Sequence, residues 1–151
     1  MGAFKTNLQQ NVKGLHLLAE ENGLDAVAFL SDRDNKEYRE KDIEGAIALI
    51  EENNESGPGI IGGMAVERIE AWILALSGKT KSEEMRHPEK KLGNLGIKNK
   101  NTAQFVAVVE KADLESIPKD AKSLHVWLGR ARTVLGTNQE TPANPLDDLL
   151  I

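Results

Sequence analysis

The stretch that most constrains the fold is AVAFLSDRDN, residues 26–35, where a nearly all-apolar run stops abruptly on Ser31, Asp32, Arg33 and Asp34. With Asp25 in front it reads as a short strand buried on both faces, the pattern of parallel strands covered by helices. Parallel strands need long, usually helical, crossovers, and the flanking sequence supplies them. Before the strand, Leu8, Val12, Leu15, Leu18 and Ala19 recur at helical spacing and Gly23 offers a stop, which predicts a helix over about 6–22. His16 borders that stripe and reads as a partly buried histidine without chemistry. After the strand, Tyr38, Ile43, Ala46, Ile47 and Ile50 mark a second helix running to about Asn53, its first turns densely charged.

NNESGPG then reads as a turn and IIGG as a second short strand. MAVERIEAWILALS gives the clearest helical pattern in the chain, with Val66, Ile69, Trp72, Ile73 and Leu76 on one face. Residues 78–100 change character to glycine, proline and lysine, which predicts a long loop or irregular insert. NTAQFVAVVEKADL has Asn101 or Thr102 as an N-cap and predicts a helix, although FVAVV alone also fits a strand. A final helix follows Pro118 and carries Leu124, Trp127, Leu128, Ala131 and Leu135. The expected organisation is one α/β domain over 1–136 with a small, mainly parallel sheet in a helix-rich frame, followed by a flexible tail over 137–151. Two strands are too few for a self-sufficient sheet. The sheet is therefore expected either to contain further strands or to be completed by a second copy or another chain.

Composition narrows the function classes. A net charge of −5 argues against a protein that coats nucleic acid by bulk electrostatics, while leaving room for a local basic surface. The absence of cysteine excludes disulfides, thiolate metal sites and cysteine nucleophiles, and is compatible with a cytoplasmic setting. No apolar run is long enough to span a bilayer, so no membrane partner is expected.

The acids at the strand end admit two readings. Side chains two apart on a strand point the same way, so Asp32 and Asp34 would converge on one hard cation, Mg²⁺ or Mn²⁺, with waters completing an octahedral shell. The carboxyl ends of parallel strands are also where open α/β sheets bind ligands. The other reading is ordinary loop solvation. Glu67 and Glu70, three apart in the helical pattern, share the flank of its apolar stripe, with Glu70 nearest the buried face, either ion-paired with a lysine or Arg68 or as acids near a metal.

The apolar strand ending in SDRDN, the charged helix after it and GGMAVERIEAWILAL together resemble the TOPRIM (topoisomerase–primase) fold, in particular small bacterial TOPRIM-like proteins related to OLD-type nucleases. The similarity covers about residues 24–77. It implies that Asp32 and Asp34 are Mg²⁺ ligands, that Glu67 or Glu70 is an additional, catalytic acid, and that the activity is metal-dependent phosphoryl transfer on nucleic acid, in a setting such as anti-phage defence. The chain departs from that pattern at its start. TOPRIM domains open with a strand ending in a glutamate, whereas Glu20 and Glu21 here close a helix. The resemblance is thus to a shortened or degenerate member, for which a non-catalytic interaction or regulatory subunit is the alternative. A rival Asp-x-Asp class, the haloacid-dehalogenase-like phosphatases, expects a threonine or valine where Lys36 stands, and a later acidic pair after a strand rather than Asp147 and Asp148 in a proline-rich tail.

Between Lys79 and Lys100, seven basic residues against three acidic ones leave a local charge of +4. Lys90 and Lys91 are the candidate nucleic-acid contacts in that segment, to be weighed against plain solvated lysines. Aromatic residues do not interleave with them, so base stacking is not indicated.

Overall fold

The computed structural model describes residues 7–53 and 56–136. Helix α1 (Leu8–Glu21) starts where the Asn7 side chain accepts the Gln10 N–H at 3.2 Å and ends before Gly23, whose φ of 64° is the left-handed conformation glycine tolerates. The chain then runs through β1 (Ala26–Ala28) and β2 (Ser31–Asp32), helix α2 (Glu37–Asn53), and strands β3 (Gly59–Ile61) and β4 (Met64–Ala65). β1 pairs in parallel with β3, and β2 with β4. The two ladders form one ribbon carried across the gap by Phe29 N–H to Ile61 O and Ser31 N–H to Gly63 O, at 2.9 and 3.2 Å. At the interruption the Phe29 carbonyl accepts the Trp127 indole N–H at 3.0 Å. The protein is α/β and helix-rich, with a small parallel sheet, as the sequence implied.

The ribbon is covered on both faces, which explains its unbroken hydrophobicity. Val27, Phe29, Ile60 and Met64 pack with Val12 of α1 and Ile43, Ala46 and Ile47 of α2. On the opposite face Leu30 and Ala65 meet helix α3 (Ile69–Leu76) through Trp72, and helix α6 (Lys122–Val134) through Leu124 and Trp127. Helix and ribbon approach so closely that a Cβ at Gly62 would lie 2.3 Å from the Phe29 ring and 2.9 Å from Ile47 Cδ1. Helices α4 (Pro88–Asn94) and α5 (Thr102–Lys111) pack on the far side of α3 around Leu74 and Leu92. Among the described residues no helix is long and apolar enough to cross a membrane.

Two expectations are corrected. The helix read from MAVERIEAWILALS begins only at Ile69, because Met64 and Ala65 pair with β2 and Glu67 turns left-handed at φ 66°. The segment over 78–100 is not one loop. It contains a 3-10 turn (Ser82–Glu84) and α4, held down by buried Pro88 and Leu92 and by polar anchors to the start of α6. Helix α5 forms as expected, with Asn101 Oδ1 accepting the Gln104 N–H at 3.0 Å. The tail read as flexible lies outside the described residues.

Candidate functional site

Asp32 closes β2, at the carboxyl end of the parallel ribbon, and its Oδ1 accepts the Ile69 N–H that opens α3 at 2.9 Å. A carboxylate there satisfies an orphan helix donor and sits against the positive end of the helix dipole. Even so, burial pushes its pKa above the ordinary aspartate value. The Ile69 N–H opposes that rise, the neighbouring Asp34 charge adds to it, and Arg68 and Arg39 oppose it more weakly.

Asp34 does not continue the strand. It and Asn35 are left-handed, at φ 49° and 57°, a conformation that Asp and Asn tolerate better than most residues. The rule that alternate residues share a strand face therefore does not place Asp34 beside Asp32. What keeps them near one another is a tight turn, pinned by Arg33 N–H to Ala65 O and Asp34 N–H to Glu67 O. Asp34 is exposed, and its Oδ2 lies 3.3 Å from Arg39 Nη1, which also donates to the Asp32 carbonyl at 3.0 Å. Arg39 thus ties the first turn of α2 to the strand end.

Glu67 and Glu70 part company because only Glu70 is helical. Glu67 lies on the left-handed turn before α3 and accepts the Arg33 guanidinium at 2.9 Å, while the Asn35 amide, oriented to satisfy its neighbours, donates to it at 2.7 Å. Arg33 also approaches Glu40 of α2 at 3.8 Å. Glu70, in the first turn of α3, is only 5% exposed. Among the described residues its carboxylate makes no hydrogen bond or ion pair, and its oxygens are not among the buried polar atoms left without a partner, so the acid group itself keeps contact with solvent. Also among the described residues, no group of three or more His, Cys, Asp or Glu side chains is placed to hold a metal ion.

Lys90 and Lys91 are exposed on α4, which packs on α3. Arg68, exposed between β4 and α3, acts electrostatically on both Asp32 and Glu89.

The roles of Arg33 and Arg39 escaped the sequence reading, and Arg68, read there as an ion-pair partner for the helix acids, forms no ion pair with them among the described residues. The partners of Arg33 and Arg39 are distant in the chain or on a neighbouring element, and no periodicity marks them. The same holds for a second polar network at the start of α6. There Glu83 accepts Ser123 Oγ at 2.6 Å, Ser123 N–H at 3.1 Å and Leu124 N–H at 3.2 Å. Ser123 Oγ in turn accepts Trp72 Nε1 at 2.7 Å and Val66 N–H at 3.3 Å. This network fixes Val66, the residue between β4 and the Glu67 turn. A cleft of about 440 Å³ between α3 and α5, lined in part by Leu76, Val108 and Lys111, shares none of the strand-end residues.

No protein-family model, curated protein or solved structure matches the chain.

Proposed function

We propose that the strand end is a Mg²⁺-binding site serving phosphoryl transfer on a nucleic-acid substrate, in keeping with the TOPRIM-like pattern of the sequence. The observation that carries this reading is the pair Asp32 and Asp34, held near one another by a tight turn at the carboxyl end of a parallel strand, the first part-buried and the second exposed.

The residues fit such an ion. Mg²⁺ keeps most of its waters and is commonly held by one or two carboxylates plus substrate phosphates, so a cage of three protein acids is not required. Asp32 uses Oδ1 for the helix and has Oδ2 left over, while Asp34 is solvent-facing. When bound, the ion would neutralise phosphate charge and lower the pKa of a bound water. Arg68, Lys90 and Lys91 would attract the phosphate backbone from the neighbouring surface. Glu70, which follows Ile69 and is not tied up in an ion pair, suits the additional acid better than Glu67, which is committed to Arg33 and Asn35.

A specific observation favours a second reading. Asp32, Asp34 and Glu67 each already have an internal partner, in Ile69 N–H, Arg39 and Arg33. A non-catalytic interaction or regulatory subunit that retains the frame would look the same. Titration of Mg²⁺ and Mn²⁺ at constant ionic strength separates the two. A site formed only in the folded state stabilises by about 2.7 kcal/mol at a hundredfold excess over Kd, a rise of several degrees in Tm for a chain of this size. Wild type should show that rise and Asp32→Asn should not. Cleavage of plasmid and single-stranded DNA should fall in parallel. A flat wild-type response to millimolar metal would remove the metal reading and leave the interaction module.

A further inference from the structure

Among the described residues the outer edge of β1 is open, and we infer that a second copy of this chain pairs with it, making one continuous four-stranded sheet across a two-fold axis. The inference is independent of the metal reading.

Strand residues alternate in the direction of their backbone groups. Asp25, Val27 and Phe29 bond inward to β3, through Gly59 N–H to Asp25 O, the Val27–Ile60 register and Phe29 N–H to Ile61 O. Ala26, Ala28 and Leu30 therefore aim their N–H and C=O groups outward. Among the described residues, none of those groups has a hydrogen-bond partner. Ala28, midway along this edge, is exposed. The open stretch ends at Asp32, whose carbonyl is already taken by Arg39. An unpaired edge of this kind is a template for another strand.

The surface beside the edge says what that strand belongs to. Helix α1 packs on β1, and α2 packs on β3. The side of α1 turned to α2 is known from its contacts. Gln9 lies over Gly45, and Lys13, His16 and Glu20 share a pocket of about 310 Å³ with Leu49, Ile50 and Asn53. At 3.6 residues per turn, Leu18 falls on the opposite side of the helix from His16, and Leu15 on the flank leading to it. They therefore face away from α2, toward the open edge. Both are substantially exposed, at 41% for Leu15 and 56% for Leu18. The open edge and an apolar helix flank thus form one surface.

An antiparallel pair built on a two-fold axis keeps corresponding sheet faces on the same side. The α1 helix of each copy would then lie beside that of its partner, with Leu15 and Leu18 meeting their own counterparts. An isologous interface requires that self-complementarity, whereas an unrelated extended peptide would cover the edge and leave the leucines in water. Charge agrees with the geometry. Centred on Ala28, the pairing sets Ala26 against the partner's Leu30, Asp25 against the partner's Ser31, and Asp32 against the partner's Leu24. No like charges stand opposite one another.

Sedimentation equilibrium of the full chain tests the inference. The expected mass at high micromolar concentration is twice 16.5 kDa. Leu15→Glu/Leu18→Glu changes only exposed positions, so the fold is kept, and it should weaken the dimer at least about a hundredfold. The chain has no cysteine, so single introduced thiols report proximity without background. Leu18→Cys should form an intersubunit disulfide on mild oxidation. Leu17→Cys, equally exposed but turned away from the edge, should not. A wild-type monomer overturns the inference, even if an unrelated protein is found to bind the edge. So does a dimer that survives the double glutamate variant, or one in which Leu17→Cys cross-links as readily as Leu18→Cys.

Discussion

Replacing Glu83 with alanine tests whether the turn that carries the acids is held from outside the ribbon. The Glu83 carboxylate is the N-terminal cap of α6, although it comes from a 3-10 turn about 40 residues earlier in the chain. Loss of a helix cap costs about 1 kcal/mol, and a carboxylate at a helix N-terminus adds roughly 0.5 kcal/mol through the dipole. Ser123 Oγ would lose its acceptor in a part-buried site, at about another 1 kcal/mol. Glu83→Ala should therefore destabilise by about 2–3 kcal/mol, or roughly 5–10 °C in Tm for a chain of this length. Glu83→Gln keeps an acceptor oxygen and should lose about 1 kcal/mol or less. Thermal and urea unfolding followed by tryptophan fluorescence measure both, and the signal is apt because Trp72 donates to the Ser123 hydroxyl. A Glu83→Ala protein within about 0.5 kcal/mol of wild type, with unchanged tryptophan emission, would refute the idea that this network secures Val66 and the Glu67 turn.

Two further substitutions probe the site and the ribbon. Asp32 has its folded pKa raised above 3.8, so ionising it costs stability that is intact below that value and lost as pH rises through the folded pKa. Asp32→Asn keeps an acceptor for Ile69 N–H. In metal-free buffer its Tm advantage over wild type should grow from acid to neutral pH, and a variant that loses ground at neutral pH would contradict the assignment. Gly62→Ala would drive a Cβ into the Phe29 ring and Ile47, and overpacking of that kind should cost about 1–3 kcal/mol. Chemical denaturation reads this directly, and a neutral effect would mean the helix-to-ribbon approach is looser than described.

Most of the helical frame was legible because it rests on local rules. The stripes of α1, α2 and α6 recur at helical period, and Asn7 and Asn101 cap their helices through their own side chains, as asparagine commonly does. Strand β4 was not legible. Met64 and Ala65 fit the apolar period of the following helix as well as they fit a strand, and their parallel pairing to Ser31 and Asp32 joins residues 33 apart. Missing that pairing moved the start of α3 and put Glu67 on a helix. The left-handed turn at Asp34 and Asn35 had a visible cause in those two residue types, whereas Glu67 adopts the same conformation with none. What stabilises it is the Arg33 and Asn35 hydrogen bonding that the ribbon assembles.

That dependence bears on how the strand end works. Asp32, Arg33 and Asp34 leave the ribbon in sequence, but each engages a different element: Asp32 the start of α3, Arg33 the Glu67 turn and α2, Asp34 the Arg39 side chain of α2. A ligand that drew Asp34 away from Arg39 would also loosen the arginine holding the Asp32 carbonyl. The Asp32 carboxylate is the less free of the two, because releasing Ile69 N–H would uncap α3. On the proposed metal reading, an incoming cation should thus be met first by Asp34 and only then share Asp32. Asp34→Asn is accordingly expected to weaken Mg²⁺ binding while leaving metal-free Tm nearly unchanged, since an exposed ion pair of this kind contributes under about 1 kcal/mol. Magnesium-dependent melting of that variant decides the order. Undiminished metal stabilisation would mean that Asp32 binds alone and that Asp34 serves only the turn.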